Sequence, residues 1–393
     1  MTSDSFEKRI KRRLIARPQL FFIATAPGLE NICFQELKRL PVNTDGLSIV
    51  EGGIEFKGAL HEAYTANLHL RTANRVLMRI GSFKATNFRQ LSRNISCIPW
   101  EFFLHPGQDT EIRVVTHRSR LYHTGAVAEH VKNDIRAYFM TLKNHDDAGK
   151  LQAFSQAQRI FIRAKQDLFA ISIDSSGELL FKRGIKPLVG KAPIRETLAA
   201  ALLSLAGYQP DLPLIDPMAG SGTFSLEAAM IAQNIPPGWK RDFAFMDWPC
   251  FKPGRWRHLR REAKKAFKQV DAPRIFASDK NLPAYQRLSE NIRNAGFSPI
   301  IQTKPADFFS IHPQPPAGLV ILNPPYGHRM GTRKQGNLFF RQIVRKLQQS
   351  FKGWDMALIM PEPYLLRHVP FKIRQHAFMH GGLRLILLTG RIR

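Results

Sequence analysis

The chain has 393 residues, 44% of them hydrophobic, enough for two or three domains with a substantial core. Its 58 Lys and Arg stand against 31 Asp and Glu, a formal net charge of +27, which favours a polyanionic partner because each phosphate neutralised releases condensed counterions. Three well-separated cysteines, Cys33, Cys97 and Cys250, give neither a disulfide framework nor a zinc cluster, and no apolar run approaches the roughly 20 residues that span a bilayer.

A reducing, cytoplasmic setting without metal or membrane partner is therefore expected. Residues 1–16 include Lys8-Arg9-Ile10-Lys11-Arg12-Arg13 and read as a flexible basic arm. The apolar Leu20–Ala24 is too short, and too soon broken by Pro27-Gly28, for a secretory leader. It reads instead as a strand, followed by a helix in which Leu29, Ile32, Cys33, Leu37 and Leu40 recur at helical spacing. Ile49-Val50 and Ile54-Glu55-Phe56 flank Gly52-Gly53 as a hairpin, completing a segment over 17–60.

A second segment, 61–185, reads as an α+β module. Tyr64–Leu77 and Gly125–Phe139 have helical patterns, and Glu111–Thr116 alternates as a strand. Arg159–Ala164 and Leu168–Ile173 are two strands joined by a tight turn at Gln166-Asp167. From 190 to 393 the pattern changes to strand then helix. The strands are Leu212–Ile215, Arg274–Ser278, Ile300–Gln302, Leu319–Leu322 and Met356–Met360, closed by a hairpin near Ile373–Ala377 and Leu383–Leu388. That series predicts an α/β domain: a seven-stranded, doubly wound sheet with an antiparallel last strand.

Two strand ends carry the chemistry. After Leu212–Ile215 comes Asp216-Pro217-Met218-Ala219-Gly220-Ser221-Gly222-Thr223, and ligands of open α/β sheets bind beyond the carboxyl ends of strands. Gly220 and Gly222 let backbone approach a ligand closely, and the helix opening at Thr223 points its amides at it. Asp216 either anchors the loop or meets the ligand's amino group. No Walker lysine follows, which disfavours a nucleotide phosphate site. Asp279 ends the next strand, where a carboxylate can bind two ribose hydroxyls. Asp307, after the third strand, is placed to accept from an adenine amino group, with Phe308 packing on the ring.

The other strand end, after Leu319–Leu322, carries Asn323-Pro324-Pro325-Tyr326-Gly327. An aromatic amino nitrogen is a poor nucleophile because its lone pair is delocalised. Two acceptors aimed at its hydrogens, the Asn323 side-chain oxygen and the Pro324 carbonyl, localise that lone pair. The prolines stiffen the loop, and Tyr326 can stack on a flipped base. Either string alone is an ordinary turn. Together they suit an enzyme that moves a methyl group from S-adenosylmethionine to a planar amino nitrogen. The basic stretch Arg255-Trp256-Arg257-His258-Leu259-Arg260-Arg261 reads equally as a phosphate contact or a solvated helix face.

From about residue 20 to the end the chain resembles the THUMP-domain family of RNA guanine-N2 methyltransferases, in particular the N-terminal methyltransferase half of the bacterial 23S ribosomal RNA enzyme. Ala24–Glu30 and Gly52–Phe56 are similar to its ferredoxin-like opening, and Leu70–Leu77 and Leu121–Val127 to its THUMP region. Lys182-Arg183-Gly184 and Ala192–Ala199 are similar to its linker and following helix. The resemblance implies a class I Rossmann-like methyltransferase domain over 190–393, preceded by a ferredoxin-like part (17–60) and a THUMP RNA-binding module (61–185). It implies N2-methylguanine in RNA as product, with S-adenosylmethionine as cofactor. It also implies Glu196 near the cofactor and Arg195 near RNA or the active-site wall. The family often has two acidic residues where Lys280 and Asn281 follow Asp279, so the ribose contact rests on Asp279. No second methyltransferase domain is expected after residue 393, and the dual activity of fused relatives is not implied.

Competing readings are a transfer RNA guanine-N2 methyltransferase, an adenine-N6 DNA methyltransferase, a protein glutamine-N5 methyltransferase and a non-catalytic RNA-binding assembly factor. The charge disfavours the protein enzyme. The intact Asp216, Gly220, Gly222 and Asn323 disfavour the assembly factor.

Overall fold

The computed structural model describes residues 3–142, 156–188, 194–270, 272–314, 316–325, 333–361 and 369–393. The chain divides into two compact units, one of Met1–Thr25, Leu37–Leu180 and Arg241–Arg261, the other of Ala26–Glu36, Phe181–Lys240 and Glu262–Arg393.

The first unit contains strands β1 (Gln19–Thr25), β2 (Ser48–Val50), β3 (Gly53–Gly58), β4 (Ala73–Lys84), β5 (Thr110–His117), β6 (Gln158–Lys165) and β7 (Leu168–Asp174). They form a single sheet in the order β2-β3-β1-β4-β7-β6-β5, with only β5 and β6 parallel. In chain order the helices of the N-terminal half are α1 (Ser3–Ile10), α2 (Glu30–Lys38), α3 (Leu60–His69), α4 (Phe88–Ile95) and α5 (Thr124–Leu142). The β6–β7 turn has Gln166 and Asp167 both at positive φ, 53° and 64°, which matches the twist of a tight hairpin.

Two expectations are corrected here. The helix read over Tyr64–Leu77 stops at His69, and β4 begins at Ala73. β4 lies between β1 and β7, and Val76, Leu77 and Met78 are buried in succession. A strand covered on both faces loses the period-two alternation by which strands are read. Within the arm expected to be flexible, Ser3–Ile10 and Lys11–Ile15 are helical. α1 buries Ile10, Phe6 meets the Phe102 ring at 5.8 Å, Arg9 pairs with Glu101, and the short turn after it buries Leu14. Apolar residues set among the basic ones give this segment a packing face that its charge obscures.

The second unit holds β8 (Leu214–Asp216), β9 (Ile275–Asp279), β10 (Ile301–Pro305), β11 (Leu319–Leu322), β12 (Asp355–Met360), β13 (Arg374–His380) and β14 (Leu383–Arg391). Their order is β10-β9-β8-β11-β12-β14-β13, with β14 antiparallel to both neighbours. The remaining helices are α6 (Glu196–Leu205), α7 (Thr223–Ala232), α8 (Pro253–Lys265), α9 (Leu282–Ala295) and α10 (Arg333–Ser350). Successive residues of β11 feed opposite layers. Ile321 joins a core with Leu198, Leu202, Phe224 and Leu288, whereas Val320 and Leu322 join one with Phe340, Ile343 and Leu347. Helices therefore cover both faces, and the fold is the doubly wound sheet expected. No described helix is long and apolar enough to cross a membrane.

Candidate active site

Strand order reverses between β8 and β11, which pair in parallel through Leu319↔Leu214 and Val320↔Ile215. A crevice opens at such a switch point beyond the carboxyl ends of the strands. Asp216 and Asn323 leave the sheet on these two neighbouring strands.

The loop after β8 is held from three sides. Ala219 N–H donates to the Ser278 carbonyl at 3.0 Å, and Gly220 N–H to the Asp279 carboxylate at 2.9 Å. Gly222 N–H closes a turn onto the Ala219 carbonyl at 2.8 Å. Gly222 stands at φ 88° as the N-cap of α7, and a Cβ there would sit 2.6 Å from the Leu288 side chain. Gly220, at φ 58°, has open space where its Cβ would be. One glycine is needed for packing beneath the loop; the other leaves a bare backbone facing space.

Asp216 is 1% exposed and accepts the Ser225 hydroxyl at 2.7 Å. Burial pushes its carboxyl up to about 7; the Ser225 hydrogen bond opposes that, and the Asp279 charge adds to it. Of the two roles open to it in sequence, this geometry matches the anchor. Pro217 is buried behind it. Thr223 receives a hydrogen bond from the Lys186 ammonium at 2.7 Å, and the same ammonium pairs with Glu196 at 2.5 Å. Glu196 thus reaches the cofactor loop through Lys186.

Asp279 uses Oδ2 for Gly220 and Oδ1 for Asn281 N–H. A carboxylate oxygen has two acceptor directions, so capacity for hydroxyls remains. Asp307 caps a short 3-10 turn through Phe309 N–H and lies 3.6 Å from the Lys280 ammonium. Phe308 is corrected: it is 1% exposed and packs on Phe351 at 5.8 Å in the core, so it cannot lie on an adenine ring. Its half-buried neighbour Phe309 meets Phe339 at 5.9 Å.

At the tip of β11 the Asn323 side-chain oxygen is buried and accepts no hydrogen bond from any of the described residues. Pro324 is buried beside it. An orphaned buried acceptor costs roughly 1–3 kcal/mol. Tyr326, expected to stack on a base, lies outside the described residues, as do Gly327, Ala192 and Pro193.

Two supporting residues, Asn291 and Lys186, carried no sequence signal, and a third, Arg183, was part of a quoted string without a role. Asn291, fully buried on α9, donates to the carbonyls of Ser221 at 3.0 Å and Leu188 at 2.8 Å and accepts Leu188 N–H. It ties the glycine loop to the segment entering the unit. Lys186 has the bridging role described above. Arg183, inside the quoted Lys182-Arg183-Gly184, forms a buried ion pair with Glu227 of α7 at 2.9 Å.

The residues that surround the loop fit a nucleoside-bearing ligand: a helix N-terminus behind two glycines, an acid at the next strand tip and an open Gly220. The family described as "RMKL-like, methyltransferase domain" matches residues 183–380, and the "RlmL ferredoxin-like domain" matches 20–77. A Synechocystis protein named "Putative RNA methyltransferase slr0064" is 33% identical over 94% of this chain and 95% of its own length. The "Ribosomal RNA large subunit methyltransferase K/L" of Methylococcus capsulatus is 32% identical over 92% of this chain, and the match covers 50% of that relative. A solved structure titled "Crystal structure of SMU.472, a putative methyltransferase complexed with SAH" superposes with a TM-score of 0.85 at 26% identity, covering 96% of this chain and 99% of that one.

Proposed function

The chain belongs to the RMKL-like methyltransferase family, and from that premise we propose that it is an S-adenosylmethionine-dependent RNA methyltransferase acting on the exocyclic N2 amine of a guanine in large-subunit (23S) ribosomal RNA. The chain spans about half the length of the K/L relatives it matches, so the proposal concerns the activity of this half. The single observation that carries it is the buried Asn323 oxygen at the tip of β11, without a partner among the described residues, on the strand beside the one that leads into the glycine loop.

Gly220, Gly222, Thr223 and Asp279 hold the cofactor, with Asp216, Pro217, Glu196 and Lys186 behind the loop. Asp307 borders the adenine end. Bound S-adenosylmethionine supplies a methyl group on a cationic sulfonium, already activated for transfer. The Asn323 oxygen and the Pro324 carbonyl accept the two amine hydrogens and hold the nitrogen pyramidal, with its lone pair directed along the line of attack. Tyr326 is assigned the stacking role against the extruded base on its sequence position. No residue need act as a strong base, because the methylated nitrogen loses its extra proton to water after the bond has formed. The first unit is assigned the RNA grip.

Nucleosides from large-subunit ribosomal RNA and from transfer RNA of a strain lacking the gene test this by mass spectrometry. The expected result is loss of one N2-methylguanosine from the ribosomal fraction alone. Loss from transfer RNA would move the substrate. Loss of N6-methyladenosine would overturn the guanine assignment.

A further inference from the structure

We infer that the outward face of α8 is a docking strip for the sugar–phosphate backbone of the RNA, an inference that rests on the RNA substrate proposed above. One side of α8 is pinned. Trp256, 7% exposed, meets the rings of Phe243 at 5.7 Å and Phe245 at 5.4 Å, and Phe245 stacks on Tyr64 at 4.3 Å. The Arg241 guanidinium lies 5.0 Å over Phe243 and donates to the carbonyls of Ser176, Glu178 and Leu179. The helix is therefore fixed in orientation before any partner arrives.

The opposite side is exposed and positive. Arg257, His258 and Arg261 face solvent there, with Arg261 3.2 Å from a His258 ring nitrogen; Lys264 and Lys265 continue the helix, Lys265 paired at 2.9 Å with Glu262, the one acid in its sequence, and Arg255 is exposed on the other flank. At 3.6 residues per turn Trp256 and Ala263 share the buried side, while Arg257 and Arg261, four apart, form a row on the other. Like charges at that spacing repel, and a phosphate bound across them offsets that repulsion. The charge of Arg255 also acts inward: the His61 imidazole is pushed down, chiefly by burial, with Arg255 contributing. A guanidinium fork matches phosphate oxygens and carries no base preference, so the strip fixes register on the RNA and leaves base choice to the Asn323 crevice.

The test measures binding of large-subunit ribosomal RNA, transcribed in vitro, to the full chain across a potassium chloride series. The variant Arg257→Gln/Arg261→Gln/Lys264→Gln is compared with a control of equal charge change at exposed positions, Lys352→Gln/Arg384→Gln/Arg393→Gln. Each lost phosphate contact lowers the slope of log affinity on log salt by roughly 0.7–0.9. The helix variant is expected to lose about two to three units of slope and the control well under one. S-adenosylhomocysteine affinity should be unchanged in both. The single changes Arg257→Gln and Arg261→Gln should each remove about one unit, which keeps the test valid if the triple variant folds poorly. A helix variant with the control's slope overturns the strip and leaves the RNA reading standing. Absence of salt-dependent binding by the unaltered chain overturns the RNA reading, and the strip with it.

Discussion

The Asp279 carboxylate at the tip of β9 accepts the Gly220 N–H of the loop leaving β8, at 2.9 Å. An acid that sequence position assigns to the ligand is thus also a strut of the glycine loop after β8. Its other oxygen takes Asn281 N–H, and Asn281 in turn caps α9 by accepting Ala284 N–H at 3.0 Å. Loop, strand tip and helix start are one hydrogen-bonded chain, which fixes the crevice geometry without a ligand.

Asn323→Ala separates chemistry from cofactor binding. The side-chain oxygen has no partner among the described residues to lose, so fold and S-adenosylhomocysteine affinity should stay near those of the unaltered chain. The transfer rate should fall by roughly 10²–10³, as for removal of a preorganised polar group from a transition state. Single-turnover rates and calorimetry read the two quantities. Equal loss of both would show that Asn323 does not act as the amine acceptor.

The two loop glycines should fail differently. Gly222→Ala forces a Cβ to 2.6 Å from Leu288 at φ 88°, so the thermal midpoint should drop clearly. Gly220→Ala meets open space and costs only about 1 kcal/mol of backbone strain. Its loss should appear in cofactor affinity. Thermal melts with and without S-adenosylhomocysteine distinguish them, and matching losses of stability would contradict the packing difference.

Asp216 makes a pH prediction. Burial raises its folded-state carboxyl to about 7, above its value in the unfolded chain. The folded state therefore binds more protons than the unfolded state between about pH 4 and pH 7. Its stabilising contribution is complete below that window and is lost as pH rises through it. Asp216→Asn cannot ionise and keeps an acceptor for the Ser225 hydroxyl. Urea midpoints of the variant should vary less across the window than those of the unaltered chain. An equally steep profile would place the titration elsewhere.

The Arg183–Glu227 pair has side chains 1% and 0% exposed. Arg183→Met should cost about 3–5 kcal/mol, because it leaves Glu227 charged and buried without its partner. Arg183→Met with Glu227→Leu should recover much of that, since two apolar groups of similar size need no compensation. Urea midpoints of the single and double variants measure this; a single variant no less stable than the double would remove the argument.

Local pattern determined a great deal. Alternating burial in β1 and β6, the glycine turn after β8 and the tight turn at Gln166-Asp167 all rest on residues adjacent in the chain. The strand–helix repeat was enough for the doubly wound sheet, and the two strand-end strings for placing Asp216 and Asn323 on neighbouring strands. What depended on distant partners was not legible. β4 read as helix because neighbours on both sides removed its alternation, and residues 3–15 read as a loose arm because the surface that buries Ile10 comes from elsewhere in the chain. Phe308 was given to the ligand although Phe351 claims it. Asn291, Lys186 and Ser225 act on groups 10 or more positions away or on a side chain whose direction only the folded loop sets. Sequence spacing fixes which residues share a strand, turn or helix face; only packing between elements decides which polar groups find partners and which, like the Asn323 oxygen, are left to wait for one.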